Sequence, residues 1–305
     1  MSTAMRPGRL FCFGLGYTGR VLARRLLAEG WQVAGTCRSE SGRAGLEALG
    51  ATALPFERGR PLADPEAALA GTTHLLSSVP PDEAGDPVLD LHGRDLARLA
   101  PGLAWAGYLS TTGVYGDTGG AWIDESAPLQ PSGPRQQRRV EAERGWLGLG
   151  ERSGLPVHLF RLAGIYGPGR SALDQVRAGT ARRIDRAGQV FSRIHVWDIA
   201  TVLIASMTRP HPGAVYNVCD DKPAPAHEVV AYACRLLGVP PPPLTPYAEA
   251  SLSPMAASFW RDNRRVRNGR IREELGVVLH YPDYTSGLAA QFKDEIWCPA
   301  PEPAP

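Results

Sequence analysis

The sequence predicts an α/β protein built on a doubly wound parallel sheet. Short apolar runs alternate with helical patterns from residue 9 to about 220, which is the signature of βαβ units. The first run meets the first helical pattern at a glycine turn, Gly14, Gly16 and Gly19. The chain has 305 residues, 43% of them hydrophobic, enough to bury a full core and a smaller second unit.

The elements follow in order. RLFCFG (9–14) reads as a buried strand. YTGRVLARRLLAEG (17–30) reads as a helix, with Leu22 and Leu26 on one face and Gly30 as its terminator. Further strands are expected at 31–36, 51–56, 73–79 and 104–110, then at VHLFRLA (157–163) and AVYNVC (214–219). Right-handed crossovers between them give a parallel sheet. Two stretches break the alternation: 167–194, rich in Gly and Arg, and 222 onward, where 223–239 looks helical before four prolines. They are read as a small discontinuous domain, 167–194 plus 222–298, beside a larger one formed by 1–166 plus 195–221. PAPEPAP (299–305) reads as a disordered tail.

Charge and cysteine usage narrow the partners. The 33 basic residues nearly cancel the 31 acidic ones, which argues against nucleic acid and acidic membrane surfaces. Only Lys222 and Lys293 are lysines, so arginine carries nearly all the positive charge. Five cysteines (12, 37, 219, 234 and 298) form no CxxC pair and read as reduced thiols of a cytoplasmic protein. The start, MSTAMRPGRL, lacks the apolar run of a signal peptide, and IATVLIASM (199–207) is too short to span a bilayer. No metal-ligand spacing and no Ser-His-Asp arrangement is found.

The glycine turn points to a dinucleotide. Gly14 permits the tight turn, Gly16 lets the backbone approach a pyrophosphate, and Gly19 lets the helix pack on the strand. Free N–H groups at the helix start favour the phosphates. Together with the strand and helix on either side, this describes a Rossmann fold. Tyr17 and Thr18 inside the turn, and Ser77 and Val79 at the end of the fourth strand, complete the expected cofactor contacts. The second strand ends Gly35-Thr36-Cys37-Arg38-Ser39, with no carboxylate for a ribose diol. Arg38 and Ser39 suit the 2′-phosphate of NADP instead, so NADP is expected ahead of NAD. The alternative for Arg38 is a solvated loop arginine.

At 107–143 the motifs GYLSTTGVYGD and WIDESAPLQPSGPRQQRRVEAE, followed by FRLAGIYGPGR (160–170), HVWDIA (195–200), VYNV (215–218) and RNGRIREELG (267–276), resemble the extended short-chain dehydrogenases/reductases, the NAD-dependent epimerase/dehydratase family. The resemblance implies a Rossmann domain, a small C-terminal substrate domain and an active site in the cleft between them. It implies that Thr111 stands beside the nicotinamide and orients a substrate hydroxyl or carbonyl; the alternative is a strand-end threonine capping local backbone. Where dehydratases carry Asp and Glu, this chain has Thr112 and Gly113, so dehydration by that route is not expected.

One departure matters more. The family's catalytic Tyr and Lys stand four residues apart after a P-x-S-P-like pattern, and here those positions are Arg135 and Arg139. Arginine stays protonated and cannot shuttle a proton. Arg139 can still donate to the nicotinamide ribose. Arg135 reads as a site for a substrate anion, while Arg139 reads as a solvated residue relieved by Glu143 one turn on. Tyr115 and Tyr166 are expected to pack rather than react. Asp198 is expected to cap a helix from Ile199, and His195 to be a packed histidine. Arg170, Arg182, Arg183, Arg186 and Arg193 are read mainly as a solvated basic face, with a nucleotide-sugar pyrophosphate as the other possibility.

Two functions stay open. One is an NADP-dependent oxidoreductase or epimerase acting on a small polar or sugar-like molecule, with an anion at Arg135. The other is a non-catalytic NADP(H) binder, a sensor or structural subunit. A monomer and a homodimer fit equally well.

Overall fold

The computed structural model describes residues 6–293; Cys298 and the 299–305 tail lie outside them. All seven expected strands form one parallel sheet: Arg9–Phe13, Gln32–Cys37, Thr52–Pro55, His74–Ser77, Trp105–Thr111, Val157–Leu162 and Val215–Val218. Numbered along the chain, their spatial order is 3-2-1-4-5-6-7. The strand order reverses between the first and fourth strands, whose Phe13 and Ser77 are register partners. A doubly wound sheet opens its ligand crevice outside the carboxyl ends of the strands at such a point.

Helices cover both faces. Helix Tyr17–Ala28 and helix Val196–Thr208 bury Leu22, Leu26, Ile199 and Leu203 against one side. Helices Pro87–Leu99 and Pro134–Ser153 bury Val88, Leu96, Ala142 and Trp146 against the other. The first helix ends at Ala28, with Gly30 just beyond it at φ +81°, a left-handed position that suits glycine. Ile271, Leu275, Val277 and Leu279 join the core of the first face.

A separate small core gathers Leu173, Val229, Ala233 and Leu288 from helices Ala172–Arg177, Ala226–Leu237 and Tyr284–Phe292. Three short parallel pairs were not legible beforehand. Arg183–Asp185 joins Leu244–Pro246, Arg193–His195 joins Gly164–Tyr166, and Arg265–Val266 joins Trp122–Ile123. Each has only two or three residues, too few for a periodic signal.

The helix after 195 begins at Val196, not Ile199. Its cap is His195, whose Nδ1 accepts from the Trp197 amide at 3.2 Å. The expectation for Asp198 is therefore corrected. Its buried carboxylate accepts from the amides of His280 and Tyr281 at 2.7 and 2.8 Å and so ties the late chain to this helix. Among the described residues no helix is long and apolar enough to cross a membrane, and no cluster of His, Cys, Asp or Glu could hold a metal.

Candidate active site

A cleft of about 780 Å³ opens at the carboxyl edge of the sheet. Gly16, Tyr17 and Thr18 of the glycine turn, Thr111, and both Arg135 and Arg139 line it. Residues remote in sequence thus meet where the sheet reverses.

The glycine turn is built for a close neighbour. Gly14 has φ +76°, its amide donates to the Thr36 hydroxyl at 2.8 Å, and its carbonyl accepts from the Ser78 hydroxyl. Gly16 is the N-cap of helix Tyr17–Ala28, with no side chain capping it, so the first amides of that helix remain without an intrahelical partner. A Cβ added at Gly16 would meet nothing nearer than the Gly14 carbonyl at 4.0 Å. The protein's own packing thus does not demand glycine there, whereas a pyrophosphate lying against the backbone does. Gly19 faces Cys12 and Leu15, which a Cβ would approach at 3.4 and 3.5 Å. The turn fits a dinucleotide.

At the end of the second strand Arg38 and Ser39 are exposed. Ser39 caps helix Glu40–Glu47, accepting from the Gly42 amide at 3.1 Å. Arg60 donates to the Arg38 carbonyl at 3.0 Å, bringing a second guanidinium to this strand end. Ser77 is buried with its hydroxyl unpartnered, and Val79 packs on Gly14. The residue of this strand end that lines the cleft is Ser78, which sequence reasoning passed over between its two neighbours.

Thr111 ends the fifth strand, and its hydroxyl accepts from the Gly113 amide at 3.1 Å. It both caps the short turn Thr112–Tyr115 and faces the cleft. The expectation for Arg139 is corrected. It is not a solvated residue leaning on Glu143, because Nη1 donates to the Leu109 carbonyl at 2.9 Å and to the Tyr108 hydroxyl at 3.2 Å. Glu143 is buried and holds Arg161 at 2.8 Å and the Ser110 hydroxyl at 2.5 Å. Arg135 lies with its guanidinium 5.5 Å from the centre of the Phe259 ring.

The two tyrosines are engaged elsewhere. Tyr115 is buried, donates to Asn217 at 2.7 Å and accepts from Arg161 at 2.9 Å; burial pushes its phenol up. Tyr166 reaches the cleft, but its hydroxyl donates to the Asp283 carbonyl and its phenol is likewise pushed up by burial. Of the arginines of 170–193, Arg170, Arg182 and Arg186 are exposed, as a solvated basic face requires, while Arg183 and Arg193 are half-buried. Arg182, Arg183, Arg186 and Arg193 donate to the carbonyls of Ser251, Pro242, Trp260 and Ala224. Arg170 stacks on Tyr17 at 5.9 Å. Phe259, Trp260, Asp262 and Arg264 also line the cleft. They come from a stretch with no motif and too little periodicity to announce itself.

No family model matches the chain. Its sequence is similar to the protein YeeZ of Escherichia coli, 28% identical over 284 residues, which cover 88% of this chain and 95% of that protein. It is also similar to a 3-diazoavenalumate denitrifying reductase of Streptomyces, 29% identical over 184 residues, 55% of this chain and 59% of that protein. Among solved structures, a conserved protein of unknown function from Silicibacter pomeroyi is 52% identical, with a TM-score of 0.88 over 94% of this chain and 99% of that one. The dTDP-glucose 4,6-dehydratase of Bacillus anthracis, solved with NAD, is 17% identical, with a TM-score of 0.75 over 94% and 96% of the two chains. The structural neighbours are NAD-dependent epimerase/dehydratase proteins, the extended short-chain dehydrogenases/reductases, and this chain has their fold.

Proposed function

We propose that this chain is an NADP(H)-dependent oxidoreductase of the extended short-chain type that reduces a small anionic molecule. The observation that carries this reading is the cleft wall. Six arginines line it, and among the described residues the one carboxylate beside them is Asp262, which Arg264 holds at 3.0 Å; Arg139, Arg182 and Arg193 donate to backbone carbonyls, which leaves Arg135 and Arg170 for an anion. A cleft so biased favours an anion, and guanidinium is the group best suited to hold a carboxylate or phosphate by two parallel bonds. The substrate lobe in this reading is built from 167–194 and the chain beyond 222.

The neighbours solved with NAD support a nicotinamide dinucleotide, and Arg38 with nearby Arg60 supports the phosphorylated form. A bound nicotinamide supplies the hydride. Gly14, Gly16, Tyr17, Thr18 and Gly19 would hold its pyrophosphate, and Arg139 would donate to its ribose. Thr111 orients the carbonyl to be reduced. Arg135 cannot give up its proton; its fixed positive charge holds the substrate's anionic group, and the alkoxide that forms as hydride arrives takes its proton from water. Reduction fits this better than epimerisation, which begins by removing a proton from a hydroxyl. The Streptomyces reductase points the same way.

A non-catalytic NADP(H) binder is the second reading. It is favoured by Arg135 at the family's tyrosine position and by the engagement of Tyr115 and Tyr166 in other bonds. Single-turnover oxidation of NADPH against carbonyl compounds with and without a carboxylate or phosphate separates the two. Oxidation by the acids, and not by their neutral analogues, is expected. No oxidation by any compound would favour the binder.

A further inference from the structure

Resting on the reading that substrate occupies the cleft, we propose that Arg135 and Phe259 form a two-part site selecting a planar aromatic or conjugated carboxylate. Helix Pro254–Arg261 comes from the second lobe and meets the start of helix Pro134–Ser153 at two points. Arg261 donates to the Ser132 carbonyl at 2.9 Å, and the Arg135 guanidinium lies 5.5 Å from the Phe259 ring centre. The next residue, Trp260, is buried against Phe191 and Tyr247, with ring centres 5.0 and 5.5 Å away. The helix is thus anchored at the two residues that follow Phe259, yet that ring is 58% exposed and lines the cleft.

An anchored helix that holds an aromatic ring toward a cleft leaves an apolar face for a ligand to cover. Among the described residues Arg135 has no carboxylate partner, and its guanidinium lies against the Phe259 ring. A guanidinium against an aromatic ring keeps its N–H donors free for a carboxylate, so one ligand can take both groups. Val229, Val230 and Leu288 extend the apolar wall. A sugar acid or a nucleotide diphosphate would use the guanidinium and leave Phe259 in water. A flat conjugated acid uses both, with its plane against the ring and its carboxylate on Arg135. On this account the arginine at the family's tyrosine position is a specificity determinant.

Binding of trans-cinnamate to the whole apo protein, followed by tryptophan fluorescence, tests this. Cinnamate is expected to bind about tenfold tighter than cinnamamide, the loss of one charge-assisted contact. It should also bind tighter than gluconate and UDP-glucose. Phe259→Ala should weaken cinnamate about tenfold and leave gluconate unchanged. Arg135→Gln should bring cinnamate to the affinity of cinnamamide and leave cinnamamide unchanged. Equal binding of acid and amide, tighter binding of UDP-glucose or gluconate, or unchanged cinnamate binding in a Phe259→Ala protein with a native circular dichroism spectrum would overturn the proposal. NADPH titration of the same preparations keeps the cofactor reading separate, since cinnamate selectivity without NADPH binding would remove only that reading.

Discussion

Arg161 and Glu143 face each other at 2.8 Å beneath the cleft, 5% and 2% exposed. Burial opposes the guanidinium charge, and the hydrogen bonds and charge of Glu143 more than offset it, holding Arg161 above its ordinary value. Glu143 comes from the same helix as Arg135 and Arg139, Arg161 from the sixth strand, and Ser110 and Tyr115 complete the network. The pair therefore fixes the helix that carries both arginines against the strands that carry Thr111. Glu143→Ala leaves a buried guanidinium unpaired, and we predict a loss of about 3–5 kcal/mol of stability in urea titration. A loss below 1 kcal/mol would show that the network is not rigidly held.

Three buried histidines set the acid side of the stability profile. Burial pushes His74 and His158 down to about 4 and His195 to about 3, below the ordinary value of 6.5. In each, the folded state disfavours the proton that the unfolded state takes up below pH 6.5. Their contribution is complete above that pH and is lost as pH falls toward 4, at about 1.4 kcal/mol per unit for each histidine. Asp220 acts oppositely: burial pushes it up to about 8, so between 3.8 and 8 the folded state holds the extra proton and stability falls as pH rises. Burial also pushes up Asp86, Glu125 and Asp198, which act with Asp220, and the three histidines are expected to outweigh these carboxylates between pH 4 and 6.5. Urea titrations across that range should show stability falling with acidity, with a shallower slope in His158→Gln. A flat profile would contradict the assignment.

The double change Arg135→Tyr with Arg139→Lys restores the family's proton donor and its supporting cation. General acid catalysis is typically worth about 10²–10⁴-fold. The variant should therefore gain single-turnover reduction of simple neutral carbonyls by up to that factor and lose preference for acids. A variant without any gain on neutral carbonyls would show that the cleft is not arranged as the family's is.

Much of this was legible in the sequence. The seven strands and the glycine turn rest on buried apolar runs and on a motif with fixed spacing. What escaped depends on long-range contact. Nothing local shows that Arg139 reaches the Leu109 carbonyl, that Glu143 belongs to Arg161, or that Phe259 crosses to Arg135. Asp198 resembles a cap because Asp before an apolar helical run is a strong cap signal, whereas its partners, the amides of residues 280 and 281, lie more than 80 residues away. Ser78 was passed over because strand-end register decides which of three adjacent side chains faces the cleft, and a shift of one residue reverses the answer.

A phosphorylated dinucleotide seated on the glycine turn would place its 2′-phosphate at Arg38. Calorimetric titration of the wild-type protein, Gly16→Val and Arg38→Ala with NADPH and NADH tests it most directly. Tighter NADPH than NADH binding by the wild type is expected, and no binding of either by folded Gly16→Val. Arg38→Ala should lose about 1.5–3 kcal/mol for NADPH, with NADH barely changed. NADH binding as tight as NADPH in the wild type, or undiminished affinity in Gly16→Val, would contradict it.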